Sequence, residues 1–177
     1  MSVLTRISPS MDTFESQVLS EKSIEDYLNS ENQIGKTVLE DLNTKLQIDS
    51  VSILGRISEG GDSKAMLRGF WHFPTSSYPG EQGNMVVIGH RFQYLPPAKN
   101  TFFYLDRVQI GDSIKVFGDT GEYTYIVTNI KVTEPNDISV LNKTDDYRLT
   151  VITCTPLWTS HQRLVITAKL DKLYKKV

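Results

Sequence analysis

The stretch Leu149-Thr150-Val151-Ile152-Thr153-Cys154-Thr155-Pro156 sets the frame for reading this chain. Residues 149–153 are aliphatic or β-branched throughout, the composition of a strand interior. Pro156 has no amide hydrogen to give a sheet ladder, so the strand yields to a loop there, with Cys154 at its mouth. After that loop, Arg163-Leu164-Val165-Ile166-Thr167-Ala168 reads as the antiparallel neighbour. Cys154 and Arg163 are then expected at the same end of the sheet.

Outward from this pair the texture stays β-rich. Strands are predicted over 46–57, 65–71, 84–89, 113–117, 122–132, 148–154 and 163–170, separated by turn signals such as Glu59-Gly60-Gly61-Asp62 and Pro79-Gly80-Glu81-Gln82-Gly83. Gly118-Asp119-Thr120-Gly121, between two β-prone runs, predicts a hairpin. Thr101–Asp106 reads as a short helical turn, and 135–146 as a loop holding one helical turn. Met85-Val86-Val87-Ile88-Gly89 is a continuous apolar run of the kind buried on both faces, and His90-Arg91 ends it. Seven or eight strands at this spacing predict a mainly β fold, a sandwich or closed barrel.

Residues 1–47 read differently. Asp12 with Glu15 resembles a capping box, and Phe14, Val18 and Leu19, then Val38, Leu39, Leu42 and Leu46, fall at helical spacing. Residues 1–50 carry four basic against nine acidic residues, whereas the rest is mildly basic. The expected organisation is a helical, acidic N-terminal extension over 1–47 and a β domain over 48–177. The extension packs on the domain or links it upstream, with a regulatory cover of a cleft as the alternative.

Composition excludes several classes. A 177-residue chain with 39% hydrophobic residues is long enough to bury a core without covalent staples. One cysteine excludes an internal disulfide and a multi-cysteine metal site, and three histidines leave little for a histidine cluster. A net charge of −2 lacks a nucleic-acid footprint; the basic tail at 172–176 reads as a solvated end. No run approaches the ~18 apolar residues of a membrane span, and the N-terminus lacks the layout of a signal peptide.

Cys154 taken alone reads as a buried small hydrophobe. His90 shifts that reading, because a histidine and a cysteine at the mouths of two strands can meet across a barrel rim. With Arg163 they supply a nucleophile, an acid/base and a fixed cation, the requirements of acyl transfer through a thioester. Singly, each is weak evidence, since histidines and arginines at strand ends usually make ordinary surface hydrogen bonds.

Thr150-Val151-Ile152-Thr153-Cys154 resembles the Thr-Leu-x-Thr-Cys motif of sortases, the transpeptidases that attach proteins to bacterial cell walls or to one another. Arg163 falls where that family keeps its arginine, and Val87-Ile88-Gly89-His90-Arg91 looks like its histidine-bearing strand. The resemblance covers roughly residues 46–170; Val151 in place of the motif's leucine is a mild departure. Around Trp71–Pro74 and His90 the sequence looks closer to the branches called class D or E than to the pilin-polymerising branch.

The resemblance implies an eight-stranded sortase β-barrel with short helices, and catalytic roles for His90, Cys154 and Arg163. Cys154 would attack the Thr–Gly carbonyl of a Leu-Pro-x-Thr-Gly-like sorting signal, His90 would move protons, and Arg163 would hold substrate and oxyanion. Thr153 joins the substrate-binding set, the backbone N–H at Thr155 would complete the oxyanion hole, and Ile138, Val140 and Leu141 either meet the signal's apolar residue or merely anchor a helical turn to the barrel. Trp158, with Leu157, would line a substrate or nucleophile path, or simply pack the loop. His161 is a weaker candidate base in a mobile loop, and His72 packs near the barrel or lines the groove.

No cofactor is expected. Some sortases use calcium, but Glu134, Asp137, Asp145 and Asp146 form no clear ligand set in the sequence. The implied partners are surface proteins bearing sorting signals and an amine acceptor, a cell-wall precursor or a Lys or Gly amine. The implied location is the extracytoplasmic face of a bacterial membrane. Sortases have a hydrophobic anchor and this chain shows none, so an anchor is expected to have been removed, a soluble version being the alternative. A cysteine hydrolase with the same residues, and a non-catalytic barrel with a structural Cys154, are the competing readings.

Overall fold

The computed structural model describes residues 44–93 and 97–175. The expected helical extension, up to residue 43, lies outside the described residues. Eight strands follow in order: β1 (Thr44–Ile48), β2 (Ile53–Ser58), β3 (Phe70–His72), β4 (Gly83–Ile88), β5 (Ser113–Gly118), β6 (Gly121–Thr133), β7 (Tyr147–Thr155) and β8 (Gln162–Lys175). They close into a barrel in the order β1-β2-β3-β4-β7-β8-β6-β5, with β1 pairing back onto β5. Among the described strands, closure leaves none at a sheet edge to recruit a foreign strand. The mainly β class and the barrel are as the sequence predicts.

Two predicted strands are corrected. The run over 46–57 is not one strand but the β1–β2 hairpin, pairing Thr44 with Ile57. A 3-10 turn at Asp49–Val51 and Ser52 in the left-handed region (φ 55°) reverse the chain. Leu46, predicted on a helical stripe, is wholly buried in β1 instead. The run over 65–71 is mostly a 3-10 helix, Ser63–Arg68, with only Phe70–His72 extended. The Asp62 side chain caps it by accepting from the Lys64 amide at 2.9 Å. The adjacent Ala65 and Met66 are both buried in one cluster, which strand alternation would not permit. The basic tail is also more than a solvated end, since β8 stays paired with β6 as far as Lys175.

β4 explains why the site lies where it does. All six of its residues are buried, because the strand lies between β7, parallel to it, and β3, antiparallel to it, and is covered by an apolar cluster on each face. Met85 and Val87 point into the barrel with Leu149 and Val151 of β7 and Leu164, Ile166 and Ala168 of β8. Val86 and Ile88 point outward, into a second apolar cluster with Trp71, Phe73, Ile152, Cys154 and Val165. The 3-10 helix covers this outer cluster from one side, and Val140 and Leu141 of a 3-10 turn (Ile138–Leu141) cover it from the other. Cys154 therefore sits on the outside of the barrel wall, beneath a partial cover.

Candidate active site

Strand register brings the three key side chains to one level. Ile88 of β4 pairs with Ile152 of β7, and the next two residues along each strand lead to His90 and Cys154. The Gly89 amide still donates to the Ile152 carbonyl at 3.1 Å, so the parallel pairing persists beyond the end of β4. Across β7 and β8, Cys154 pairs directly with Arg163. His90, Cys154 and Arg163 all line one open cleft of about 580 Å³ on the outer wall.

Their backbones are tightly held. The Thr153 hydroxyl donates to the Gly89 carbonyl at 2.8 Å, joining the residue before the cysteine to the residue before the histidine. Gly89 must be glycine: a Cβ there would come within 2.8 Å of the Phe102 and Phe70 rings, which stack 4.2 Å apart. The Phe102 amide donates to the His90 carbonyl at 2.9 Å. Arg163 Nη1 donates to the carbonyls of Ser160 and Gln162 at 3.0 and 2.9 Å, fixing the guanidinium against the end of the β7–β8 loop.

Burial sets the resting protonation. His90, Cys154 and Arg163 are only 6%, 3% and 6% exposed. Desolvation disfavours each charged form, lowering the His90 pKa below the ordinary imidazole value. Burial likewise raises the Cys154 thiol, against an opposing pull from the positive charges of Arg163 and Arg91. Burial thus favours the neutral thiol and the neutral imidazole over their charged forms.

The substrate-side residues divide. Ile138, Val140, Leu141 and Thr153 line the cleft with the three central residues. Thr155 and Trp158 do not line it; Trp158 is 61% exposed and packs edge-on to Phe92, with ring centroids 4.9 Å apart. The cleft wall depends on Asn84, a polar residue in the otherwise apolar β4 run. Its Nδ2 donates to the carbonyls of Val140 and Asn142 at 3.0 and 3.2 Å, and its Oδ1 accepts from the Thr150 hydroxyl at 2.7 Å. Asn84→Ala removes all three partners at once and is expected to cost about 1–3 kcal/mol in chemical denaturation. A loss under about 0.5 kcal/mol would mean that Asn84 does not hold this wall.

The other histidines stand apart. His161 is exposed in the loop before β8 and does not line the cleft. His72 is buried, with Nδ1 2.9 and 3.0 Å from the two Glu59 carboxylate oxygens and Nε2 3.0 Å from the Ser77 carbonyl. Ser76 Oγ is also 3.0 Å from Nε2, giving a serine–histidine–glutamate order. That hydroxyl is not a nucleophile in waiting, since it donates to the Phe73 carbonyl at 2.7 Å and accepts from the Val86 amide. The cluster ties the turn before the 3-10 helix to the β3–β4 loop.

The four acids considered for calcium do not converge. Asp137 accepts from Ser139, Thr133 and Lys131, and these bonds hold its carboxyl well below the usual range. Asp146 is lowered to about 2, chiefly by Arg148, and also pairs with Lys169. Among the described residues no three His, Cys, Asp or Glu side chains are grouped to hold a metal ion.

Comparison with known proteins agrees with this geometry. The sortase domain family model matches residues 46–171. The chain is 28% identical over 112 residues to sortase D of Bacillus subtilis, covering 63% of this chain and 53% of that protein. It is 30% identical over 141 residues to sortase SrtE1 of Streptomyces coelicolor, covering 71% and 39%. The matched part therefore spans about half or less of these curated relatives. The solved Clostridium perfringens sortase D5 transpeptidase superposes with a TM-score of 0.65 at 26% identity, covering 90% of this chain and 99% of that one.

Proposed function

The chain belongs to the sortase family, and from the site it carries we propose that it is a cysteine transpeptidase acting on sorting signals. The observation that carries this reading is one cleft lined by Cys154, by Arg163 directly opposite it on β8, and by His90 at the same level beyond β4. The Cys154 thiolate adds to the Thr–Gly carbonyl of a Leu-Pro-x-Thr-Gly-like segment, and the Arg163 guanidinium faces the developing oxyanion. His90, as imidazolium, gives its proton to the departing glycine amine, leaving a thioester on Cys154 and a neutral imidazole. An incoming amine then attacks the thioester while His90 takes up its proton, and the thiolate leaves to restore the starting pair. The apolar wall of Ile138, Val140 and Leu141 receives the aliphatic residue of the signal. The partners are sorting-signal-bearing surface proteins and an amine on a cell-wall precursor, met at the extracytoplasmic face of a bacterial membrane.

Incubation with a Leu-Pro-x-Thr-Gly peptide, with and without an amine acceptor, tests the reading. Ligated product that rises with acceptor concentration is expected; hydrolysis alone at every concentration would make the enzyme a peptidase instead.

The pH profile carries a second expectation. The thiolate–imidazolium pair holds as many protons as the neutral pair, so its share stays constant between the two titrations. It falls once His90 protonates beside a thiol, and again once Cys154 ionises beside a neutral imidazole. Because burial lowers His90 and raises Cys154, the two limbs move apart. kcat/KM is expected to be flat at least between about pH 6.5 and about pH 8.5, the ordinary values of the two groups. A bell narrower than that interval would contradict the burial argument.

A further inference from the structure

Asn84 is 3% exposed and sits on the outward face of β4, in step with Val86 and Ile88. It does not line the cleft, and at ~3.3 Å per residue it lies ~20 Å along the strand from His90. The segment it touches does line the cleft. Its Nδ2 donates to the carbonyls of Val140 and Asn142, which bracket Leu141 in the chain. Carbonyls only accept, so the amide nitrogen must face them, and the Thr150 hydroxyl donating to Oδ1 fixes the other side.

Among the described residues, little else holds that turn. Ile138–Leu141 is a four-residue 3-10 helix with no wholly buried side chain, and Val140 and Leu141 are only partly buried against the outer cluster. At its opposite end Asp137 accepts from the Ser139 amide and from the Thr133 hydroxyl at the end of β6. The apolar wall is therefore braced by polar bonds from both ends. A wall fixed in advance leaves a bound ligand less ordering to supply.

We propose that Asn84 is a positioning residue for substrate choice: by pinning the carbonyls on either side of Leu141, it keeps the 138–141 wall preformed and sets how strongly the site prefers a large aliphatic residue in the sorting signal. This rests on the transpeptidase reading and on the wall as the subsite for that residue. With the pins gone, the wall must be ordered each time a signal binds. A leucine peptide, which uses the wall, then binds more weakly, whereas an alanine peptide, which scarcely reaches it, is little changed. The reacting carbonyl is remote from Asn84, so the loss falls on KM rather than kcat.

The brace and its consequence are read separately. Lys143 is exposed directly after Asn142, so trypsin cleavage there on the folded whole chain reports release of the held segment without any peptide. Asn84→Ala is expected to speed that cleavage by more than about fivefold. The parent is expected to prefer Leu-Pro-x-Thr-Gly over Ala-Pro-x-Thr-Gly peptides by about tenfold or more in kcat/KM. Asn84→Ala is expected to lower that ratio by at least about fivefold through KM, with kcat on the leucine peptide within about threefold of the parent. Thr150→Val removes the other contact of Asn84 but leaves the amide on its carbonyls, so both readouts are expected to stay within about threefold of the parent. A merely structural Asn84 predicts that the two variants move together. Leu141→Ala removes the wall itself and is expected to lower the ratio as well. Parental trypsin cleavage or a parental ratio in Asn84→Ala, equal effects in Thr150→Val, or a parental ratio in Leu141→Ala overturns the proposal. Should Asn84→Ala not fold, Asn84→Ser, with a hydroxyl for Thr150 and no amide for the carbonyls, decides it. If the parent transfers neither peptide, the transpeptidase reading fails and the selectivity goes with it, while trypsin alone still reports the brace; an unchanged ratio in an active enzyme sinks only the proposal.

Discussion

Cys154→Ala is expected to abolish both peptide cleavage and transfer, lowering the rate by at least about 10⁴-fold. Among the described residues His161 is exposed outside the cleft, the Ser76 hydroxyl is committed to backbone partners, and the cleft hydroxyls of Thr133 and Thr153 donate to Asp137 and the Gly89 carbonyl. The fold is expected to survive. Cys154 packs among Ile152, Val165 and Ile88 in the outer cluster, and removing one sulfur atom from this rim leaves the barrel interior intact. The stability cost is about 1 kcal/mol, readable by denaturant titration. Mass spectrometry of the parent with a poor acceptor is expected to reveal the acyl-enzyme, and the variant is expected to show none. Transfer by the folded variant at even a hundredth of the parental rate, about a 10²-fold loss, would remove Cys154 from the mechanism.

Arg163→Lys is expected to lower kcat by about 10²–10³-fold with a smaller change in KM. The argument is geometric rather than one of charge. Arg163 Nη1 already holds the carbonyls of Ser160 and Gln162, so the planar fork is locked at the loop end opposite Cys154. An ammonium keeps the positive charge, but its three donors sit on one nitrogen, and it cannot span those carbonyls and an oxyanion at the cysteine as the planar fork does. The Cys154 alkylation rate is expected to change far less than kcat, since the cation remains. A kcat within about threefold of the parent would show that charge alone suffices there.

Much of the site is legible in the sequence because strand ends are legible. The apolar run before His90, the β-prone run before Cys154 and the start of β8 at Arg163 each carry clear signals, and register does the rest. The misreadings have physical causes. Ser52 adopts a left-handed turn without glycine, so only the weak turn signal of Asp49-Ser50 marks the hairpin within the run 46–57. The 3-10 helix over 63–68 is too short for a helical period, and its buried Ala65 and Met66 pass for strand residues. Asn84 is the residue that pattern reading passes over, although a polar side chain inside a wholly buried strand is itself a signal. Trp158 is exposed and takes a positive φ of 82° in the loop, a backbone conformation that an aromatic residue does not advertise.

The parallel pairing of β4 with β7 also governs when the enzyme comes into being. Sixty-four positions separate Gly89 from Thr153, whose hydrogen bond locks the two strand ends together. Parallel neighbours cannot form a local hairpin, so their loop-closure entropy must be met before any contact offsets it. During synthesis, His90 emerges long before the cysteine it serves, and Arg163 later still. A ribosome-bound chain lacking β8 has a thiol but no opposing cation, and a reactive centre is assembled only when the last strand docks. Under the transpeptidase reading, the proposed site is thereby expected to be completed late in synthesis, by topology.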